Sequence, residues 1–317
     1  MARSFAPRLP WRETKVDTDE AHMKTYRVIY VDAFTSVPFC GNPCAILPEA
    51  SGLTDEEMQA IARETNLSET SFVLPSDRAD FRVRYFTPRT ELPFAGHPTI
   101  ATAFMLVQEG FAPVTEPTTR IHLEFKIGVL PVDIQVTNRQ PVNVVMTQQR
   151  PTFGESFPVR EVAPGFNLGP SAFRDDVLPQ VVSTGVAFLI VAVKERTTLG
   201  KIRMNQEDLA NLCDRAKVSA AFVFSFGGFD PATDVHARFF DPRGTTEDPF
   251  TGSAYGAAGA YIYRHGLKEK RVLRVEQGHW IRRPGEGILE IIGTRDNIEG
   301  VKLGGAAVKV LEGKIEF

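Results

Sequence analysis

Four polar residues carry the strongest chemical signal in this sequence. Two similar segments, ELPFAGHP and EDPFTGSA, place His97 and Ser253 at the same position after a Pro-Phe-x-Gly turn. Asp248 has no acidic counterpart in the first segment. Glu69, in the segment NLSETSFV, has none in the corresponding segment KVSAAFVF. An acid that is present in only one of two related segments indicates a role beyond folding, and such side chains could transfer protons as general acids and bases.

Each of these residues also has a purely structural interpretation. His97 could be a core or helix-capping histidine, and Asp248 could cap the turn before Pro249. Glu69 could be a solvated residue at a helix end. Equally, its apolar neighbours could desolvate it in part, which would raise its pKa towards the range of a general base. We expect Ser253 both to cap its helix and to offer its hydroxyl group to a ligand.

The two segments belong to a longer internal repeat. RYFTPR corresponds to RFFDPR, DEEMQAIARETN to QEDLANLCDRAK, and HPTIATAFMLVQEG to SAYGAAGAYIYRHG, all in the same order along the chain. Matches in a fixed order predict a pseudo-duplication. Glu91 and Glu247 match each other in the two copies, which indicates a shared structural role for that pair.

The repeat predicts the elements that position the four residues. LTDEEMQAIARETN reads as an amphipathic helix with a capping box of Thr54 and Glu57, and TSFVL and FRVRYF read as strands. The segments 98–107 and 254–263 carry almost no charge, which predicts buried helices. Each half is therefore expected to be a mostly antiparallel sheet or barrel around a central hydrophobic helix, in an α+β fold of two pseudo-symmetric domains.

The starts of the two buried helices should face a shared cleft. A helix start exposes unpaired N–H groups and about half a positive charge. Two such starts would bind an anion, most simply a carboxylate, or stabilise charge that develops on an enolate.

We divide the chain into four parts. Residues 1–24 form a polar N-terminal extension, 25–150 the first repeat domain, 151–178 a Pro/Gly-rich linker, and 179–317 the second repeat domain. We allow for the last strand crossing back to the first domain.

Composition narrows the class of protein. The 317 residues have a formal net charge of −3 and no basic run, which argues against a nucleic-acid surface. No apolar stretch reaches the length of a membrane helix, and three cysteines fit a reducing compartment, so we expect a cytoplasmic protein. CGNPC lacks the spacing of a zinc ribbon, and TGSAYG lacks the Gly-x-Ser-x-Gly elbow of a serine hydrolase.

The motifs resemble those of the PhzF-like (phenazine-biosynthesis) isomerase family. The matching segments are VDAFTSVPFCGNPCAILPEA, NLSETSFVL, FTPRTELPFAGHPTIA, EDPFTGSAYGAA and EQGHWIRRP. The resemblance implies the diaminopimelate epimerase-like fold, with the active site between the two domains. It also implies proton transfer without a cofactor or a metal, a small carboxylate-bearing substrate, and commonly a homodimer.

Residue by residue, the resemblance assigns roles in the site. The acid/base glutamate of the family falls on Glu69, which would move a proton from one carbon to another. His97 and Asp248 would position the substrate and relay or stabilise charge. Ser253 and the backbone N–H of Gly252 would hold the carboxylate.

Further positions follow from the same comparison of motifs. We also assign substrate-binding roles to Gly96, Asn42 and Gln277.

The related epimerases have a cysteine just before each helix start, and here these places hold Ala95 and Thr251. Neither side chain can exchange a proton at neutral pH, which excludes a two-thiol racemase.

One segment departs from the family pattern. In EQGHWIRRP, Arg282 stands where glycine is more common, and His279 and Trp280 are bulkier than usual.

The leading interpretation is an isomerase that shifts a proton on its substrate. The alternatives are a non-catalytic small-molecule or protein-binding member of the same fold and, as a third class, a hydrolase.

Overall fold

The computed structural model describes residues 23–244 and 247–317, so residues 1–22 of the expected extension lie outside the described part. Within those ranges no helix is long and apolar enough to cross a membrane. The first half contains β1 (Thr25–Ala33), β2 (Asn42–Leu47), α1 (Asp55–Thr65), β3 (Thr70–Leu74), β4 (Phe81–Phe86), β5 (Glu91–Leu92), α2 (Gly96–Gln108), β6 (Thr118–Phe125), β7 (Gly128–Thr137), β8 (Gln140–Gln148) and β9 (Thr152–Ser156). The remainder contains α3 (Val159–Val162), β10 (Gln180–Ser183), β11 (Ala187–Ala192), α4 (Arg196–Lys201), α5 (Gln206–Ala216), β12 (Ala221–Phe226), β13 (Val235–Phe240), α6 (Gly252–Arg264), β14 (Val272–Gln277), β15 (Gly285–Gly293), β16 (Ile298–Gly305) and β17 (Ala307–Glu316).

The two halves repeat the same order of strand pairing within one 17-stranded sheet. In the first half β2 is parallel to β3 and β4 is parallel to β6. In the second half β11 is parallel to β12 and β13 is parallel to β14. The other pairings are antiparallel, including the pairing of β8 with β16 that joins the halves. This confirms the predicted α+β fold of two pseudo-symmetric, mostly antiparallel units.

The two units exchange their last strands. β17 lies antiparallel to β1, from Thr25 opposite Glu316 to Ala33 opposite Ala307. In the same way β9 lies antiparallel to β10, the first strand of the second unit. The domain boundaries at residues 150 and 179 stay a prediction, because after this exchange no single cut of the chain separates the two units.

The segment 151–178, expected as a linker, contains regular structure. It forms β9, the short helix α3 and two 3-10 turns. Phe157, Phe166 and Phe173 are buried and pack in one cluster with Leu209 of α5. Its sequence shows no helical or strand periodicity because each of its elements is at most five residues long.

The two central helices are buried, as predicted. Every residue of α2 from His97 to Val107 is buried, and so is every residue of α6 from Ala254 to Ile262. Close packing depends on small residues in α6. A Cβ atom added to Gly259 would lie 2.5 Å from a methyl carbon of Leu289 on β15.

The first amphipathic helix also forms as predicted. In α1, Thr54 and Glu57 form the capping box, and Met58, Ile61 and Ala62 are buried. The strands TSFVL and FRVRYF are β3 and β4.

The matched glutamates have the expected shared role. Glu91 accepts two hydrogen bonds from Arg84, at 2.8 and 3.0 Å. Glu247 accepts two from Arg238, the corresponding arginine of the second half, at 3.0 and 2.6 Å. Each pair ties the segment before a central helix to the preceding strand.

Candidate active site

The starts of α2 and α6 lie next to each other. A Cβ atom added to Gly96 would be 3.7 Å from the backbone nitrogen of Ser253. The N-cap residues are Ala95 and Thr251. Neither supplies a side-chain cap, and neither helix has an acidic residue in its first turn. The first N–H groups of both helices and the positive ends of both dipoles are therefore directed at one region.

The helices start one residue earlier than the sequence suggested. Gly96 and Gly252 are their first residues, so His97 and Ser253 occupy the second position. The expectation that Ser253 caps α6 is wrong, because Thr251 holds the N-cap position. The hydroxyl group of Ser253 makes no hydrogen bond to the residues that the structure describes, and the residue is half-buried.

Glu69 and His97 face each other in this region. Glu69 directly precedes β3, and its Oε2 atom lies 3.4 Å from Nε2 of His97. Both atoms are buried, and neither has a hydrogen-bond partner among the described residues. Buried polar atoms are normally paired, so these two atoms are candidates for contact with a ligand.

Burial changes the protonation of both groups. Desolvation, and then the negative charge of Asp248, raise the pKa of Glu69 to about 8. Desolvation lowers the pKa of His97 to about 3, while the carbonyl group of Pro43 acts in the opposite direction. At neutral pH the imidazole is therefore neutral, and the Glu69 carboxyl group is mostly protonated with a smaller ionised fraction.

Asp248 is held between the two halves. Its Oδ1 atom accepts a hydrogen bond at 2.7 Å from Asn42, the first residue of β2, and its Oδ2 atom accepts one at 2.5 Å from the hydroxyl group of Thr251. Burial raises the pKa of Asp248, and these two hydrogen bonds partly offset the effect. The Oδ1 atom of Asn42 is buried without a partner among the described residues.

Gln277 lies behind the turn that carries Asp248. Its side-chain oxygen accepts a hydrogen bond from the Thr251 backbone at 3.0 Å, and its side-chain nitrogen donates one to the Asp248 carbonyl at 2.7 Å. Both polar ends are thus used to hold the turn, and direct contact of Gln277 with a substrate stays a prediction.

The parts of a serine-hydrolase triad are not connected here. Nε2 of His97 faces Glu69, and the carboxylate of Asp248 is bonded to Asn42 and Thr251. Among the described residues no base is hydrogen-bonded to the hydroxyl group of Ser253, as activation of a nucleophilic serine requires.

Sequence reasoning missed two residues that support the site. Thr251 orients Asp248 through a hydrogen bond. The one feature of the sequence that points to Thr251 is its position, which holds a cysteine in the related epimerases. Gln148, at the end of β8, donates a hydrogen bond to the Gly252 carbonyl at 2.9 Å and accepts one from Thr184 at 2.6 Å. Nothing local in the sequence marks Gln148, because its partners lie far along the chain.

Replacing Thr251 with valine is expected to lower the free energy of unfolding by about 1–3 kcal/mol, because a buried carboxylate loses a hydrogen bond. Thr251→Ser keeps the hydroxyl group and serves as the matched control, which should stay close to the wild type. Urea unfolding of the three proteins at pH 7 measures the difference. Equal stability of the valine variant and the wild type would contradict the role given to Thr251.

Comparisons with known proteins show which family and which relatives this chain resembles. Residues 31–313 match the family model described as phenazine biosynthesis-like protein. The chain is 33% identical to an isomerase of Clostridium acetobutylicum that is named as uncharacterized, over 92% of this chain and 99% of the relative. It is 31% identical to the trans-2,3-dihydro-3-hydroxyanthranilate isomerase of Pseudomonas aeruginosa, over 91% of this chain and 99% of the relative.

A solved structure is similar over the same extent. The crystal structure of a phenazine biosynthesis protein of the PhzF family from Bacillus anthracis aligns with a TM-score of 0.84 and 32% identity. The alignment covers 92% of this chain and 99% of that protein. The similarity therefore includes both repeat units and the region between α2 and α6.

Proposed function

The chain belongs to the family of phenazine biosynthesis-like proteins and is an isomerase, and from this premise we propose that it moves a proton between carbon atoms of a small carboxylate-bearing substrate. The observation that carries the proposal is the facing pair of Glu69 and His97. Their buried, unpaired atoms lie 3.4 Å apart at the start of α2.

The two helix starts are the proposed binding site for the carboxylate. Backbone N–H groups at a helix start bind anions well, because they lack internal partners and the dipole favours negative charge. Gly252 would offer its N–H, and Ser253 its hydroxyl group. Gly96 lies close enough to Ser253 that both helices can act on the same group. The same positive ends would stabilise an enolate formed during proton transfer.

Glu69 is the proposed acid and base. In its ionised form it takes a proton from one carbon of the substrate, and in its protonated form it returns a proton to another carbon, after exchange with solvent in a fraction of turnovers. A pKa of about 8 keeps both forms accessible near neutral pH, as efficient general catalysis requires. Because one carboxyl group both removes and returns a proton, the reaction needs neither a redox cofactor nor a second base.

His97 and Asp248 are proposed to position the substrate. The neutral imidazole of His97 presents Nε2 beside Glu69, where it can hydrogen-bond with the reacting part of the molecule. Asp248 is oriented by Asn42 and Thr251. Its negative charge also disfavours ionisation of Glu69 and so helps keep that proton available for return.

The function is tested by deuterium incorporation. Wild-type enzyme in D₂O would be incubated with trans-2,3-dihydro-3-hydroxyanthranilate, the compound in the name of the Pseudomonas aeruginosa relative, and with a panel of small cyclic and open-chain carboxylates. We expect proton NMR to show deuterium entering a carbon position of at least one compound. We also expect the same rate after treatment of the enzyme with a chelator. The absence of both deuterium exchange and an isomerised product across the whole panel would contradict proton transfer, and loss of turnover after chelation would contradict a metal-free mechanism.

A further inference from the structure

A second cluster of ionisable side chains lies outside the candidate active site. His236 is on β13 and Glu276 is its partner in register on the parallel strand β14, while His279 begins the 3-10 turn (His279–Ile281) that follows. One potential ligand atom of each residue lies within 4.8 Å of the other two. His236 is fully buried, the Glu276 side chain is 7% exposed, and the His279 side chain is 22% exposed.

The distances within this cluster suit the ligands of one ion. Oε2 of Glu276 lies 3.3 Å from Nδ1 of His236 and 3.9 Å from Nε2 of His279. The second distance is too long for a hydrogen bond. Two ligands of a tetrahedral zinc ion, each about 2.0–2.2 Å from the metal, lie roughly 3.3 Å from each other. Small side-chain shifts would therefore bring all three groups onto a common centre.

Each imidazole ring has one nitrogen facing Glu276. Nδ1 of His236 is hydrogen-bonded to Oε2 of Glu276 at 3.3 Å, and Nε2 of His279 lies 3.9 Å from the same oxygen. The other ring nitrogens, Nε2 of His236 and Nδ1 of His279, are buried without a hydrogen-bond partner among the described residues. Phe229 stacks on His279 with ring centroids 4.2 Å apart and planes within 6°. An ion bound here would replace the hydrogen bond between His236 and Glu276.

The carboxylate is oriented as a metal ligand needs to be. Oε1 of Glu276 accepts hydrogen bonds from the backbone of Asp230 at 3.0 Å and from the Thr233 hydroxyl at 2.5 Å. Oε2 accepts one from the backbone of Phe229 at 2.8 Å and faces both histidines. Ligating carboxylates are commonly held by such outer hydrogen bonds.

The cluster is specific to the second half of the chain. Arg82 stands on β4 where the repeat has His236 on β13, and Arg82 is exposed. His279 lies in the segment in which the sequence departs from the family pattern. The role of the cluster is therefore separate from the pseudo-symmetric fold that both halves share.

We propose that His236, Glu276 and His279 bind one divalent transition-metal ion of the zinc class. Two imidazoles and one carboxylate form a ligand set typical of zinc, with water able to complete the shell. The ion would fasten the 3-10 turn to β13 and β14. The cluster lies outside the candidate active site, so the ion would take no part in proton transfer.

The test is metal titration of the full chain after removal of metal by a chelator and desalting. We expect cobalt(II) to give visible absorption bands at one ion per chain, zinc to displace the cobalt, and zinc to raise the melting temperature. His279→Gln should bind zinc at least roughly tenfold more weakly, since even partners outside the ligand shell change affinity by 10–100-fold. The matched control is His122→Gln, because His122 is an exposed histidine 3.6 Å from the carboxylate of Asp80.

A measurement on the wild type covers the case in which His279→Gln does not fold. Zinc should shift the ring nitrogen signals of His236 and His279 in ¹⁵N NMR and leave His122 unchanged. Equal zinc affinity in the wild type and the His279→Gln variant, shifts confined to other histidines, or no cobalt bands and no zinc stabilisation would each overturn the proposal. None of these outcomes depends on isomerase activity, so the metal site and the proposed function can fail independently.

Discussion

Replacing Glu69 with glutamine is expected to abolish turnover while ligand binding persists. Glutamine has the shape of the protonated glutamic acid, but its amide can neither take a proton from carbon nor return one. Removing a positioned general acid–base group typically costs 10²–10⁴-fold in rate, and here one group would perform both transfers. We expect deuterium incorporation to fall by about 10³-fold or more. Calorimetric affinity for the same carboxylate should stay within a few-fold of the wild type.

The matched control for this variant is Glu64→Gln. Glu64 is an exposed residue of α1, five positions before Glu69, and it makes none of the contacts of the site. This control should keep the full exchange rate. A Glu69→Gln enzyme that retains activity within tenfold of the wild type would contradict the assignment of the base. Loss of binding together with turnover would make Glu69 a binding group and contradict its role in proton transfer.

Local signals were enough to predict the framework of the site. The Pro-Phe-x-Gly turns and the uncharged segments after them predicted two buried helices, because a helix that is apolar on all faces must lie in the core. The difference between the two copies drew attention to Glu69 and Asp248. The structure brings the charge of Asp248 close enough to raise the pKa of Glu69, and their catalytic roles stay a proposal.

Contacts between distant parts of the chain could not be predicted in this way. The exchange of β9 and β17 depends on which strand edges are free once both units have formed, and no short segment encodes that. The same holds for Gln148, whose partners Gly252 and Thr184 belong to the second half of the chain. The prediction that Ser253 caps α6 was made because serine is a common N-cap. It was wrong because the helix starts at Gly252, which puts Thr251 at the N-cap position.

The contribution of Glu69 to the stability of the wild-type fold is expected to fall from pH 5 to pH 9, and Glu69→Gln should remove that fall. The pKa of Glu69 rises from 4.5 in the unfolded chain to about 8 in the fold. Between these values the folded state binds the extra proton, so the free energy of unfolding falls as pH rises. From pH 5 to pH 8 this single group accounts for about 3.5 kcal/mol. Asp248, whose pKa burial also raises, acts in the same direction.

Comparing variants isolates the contribution of Glu69 from that of other groups. His97 has a lowered pKa, so its contribution is lost as pH falls below about 6.5, and it affects the wild type and the Glu69→Gln variant alike. Urea unfolding from pH 5 to pH 9 should therefore show the Glu69→Gln variant gaining stability over the wild type as pH rises. Glu64→Gln should run parallel to the wild type. Parallel curves for Glu69→Gln and the wild type would mean that the fold does not hold a proton on this carboxyl group. A Glu69→Gln variant that is inactive but more stable than the wild type at alkaline pH would link both effects to this one carboxyl group. Its desolvation destabilises the fold when the group is ionised, and the same desolvation raises the pKa that lets it carry the reacting proton.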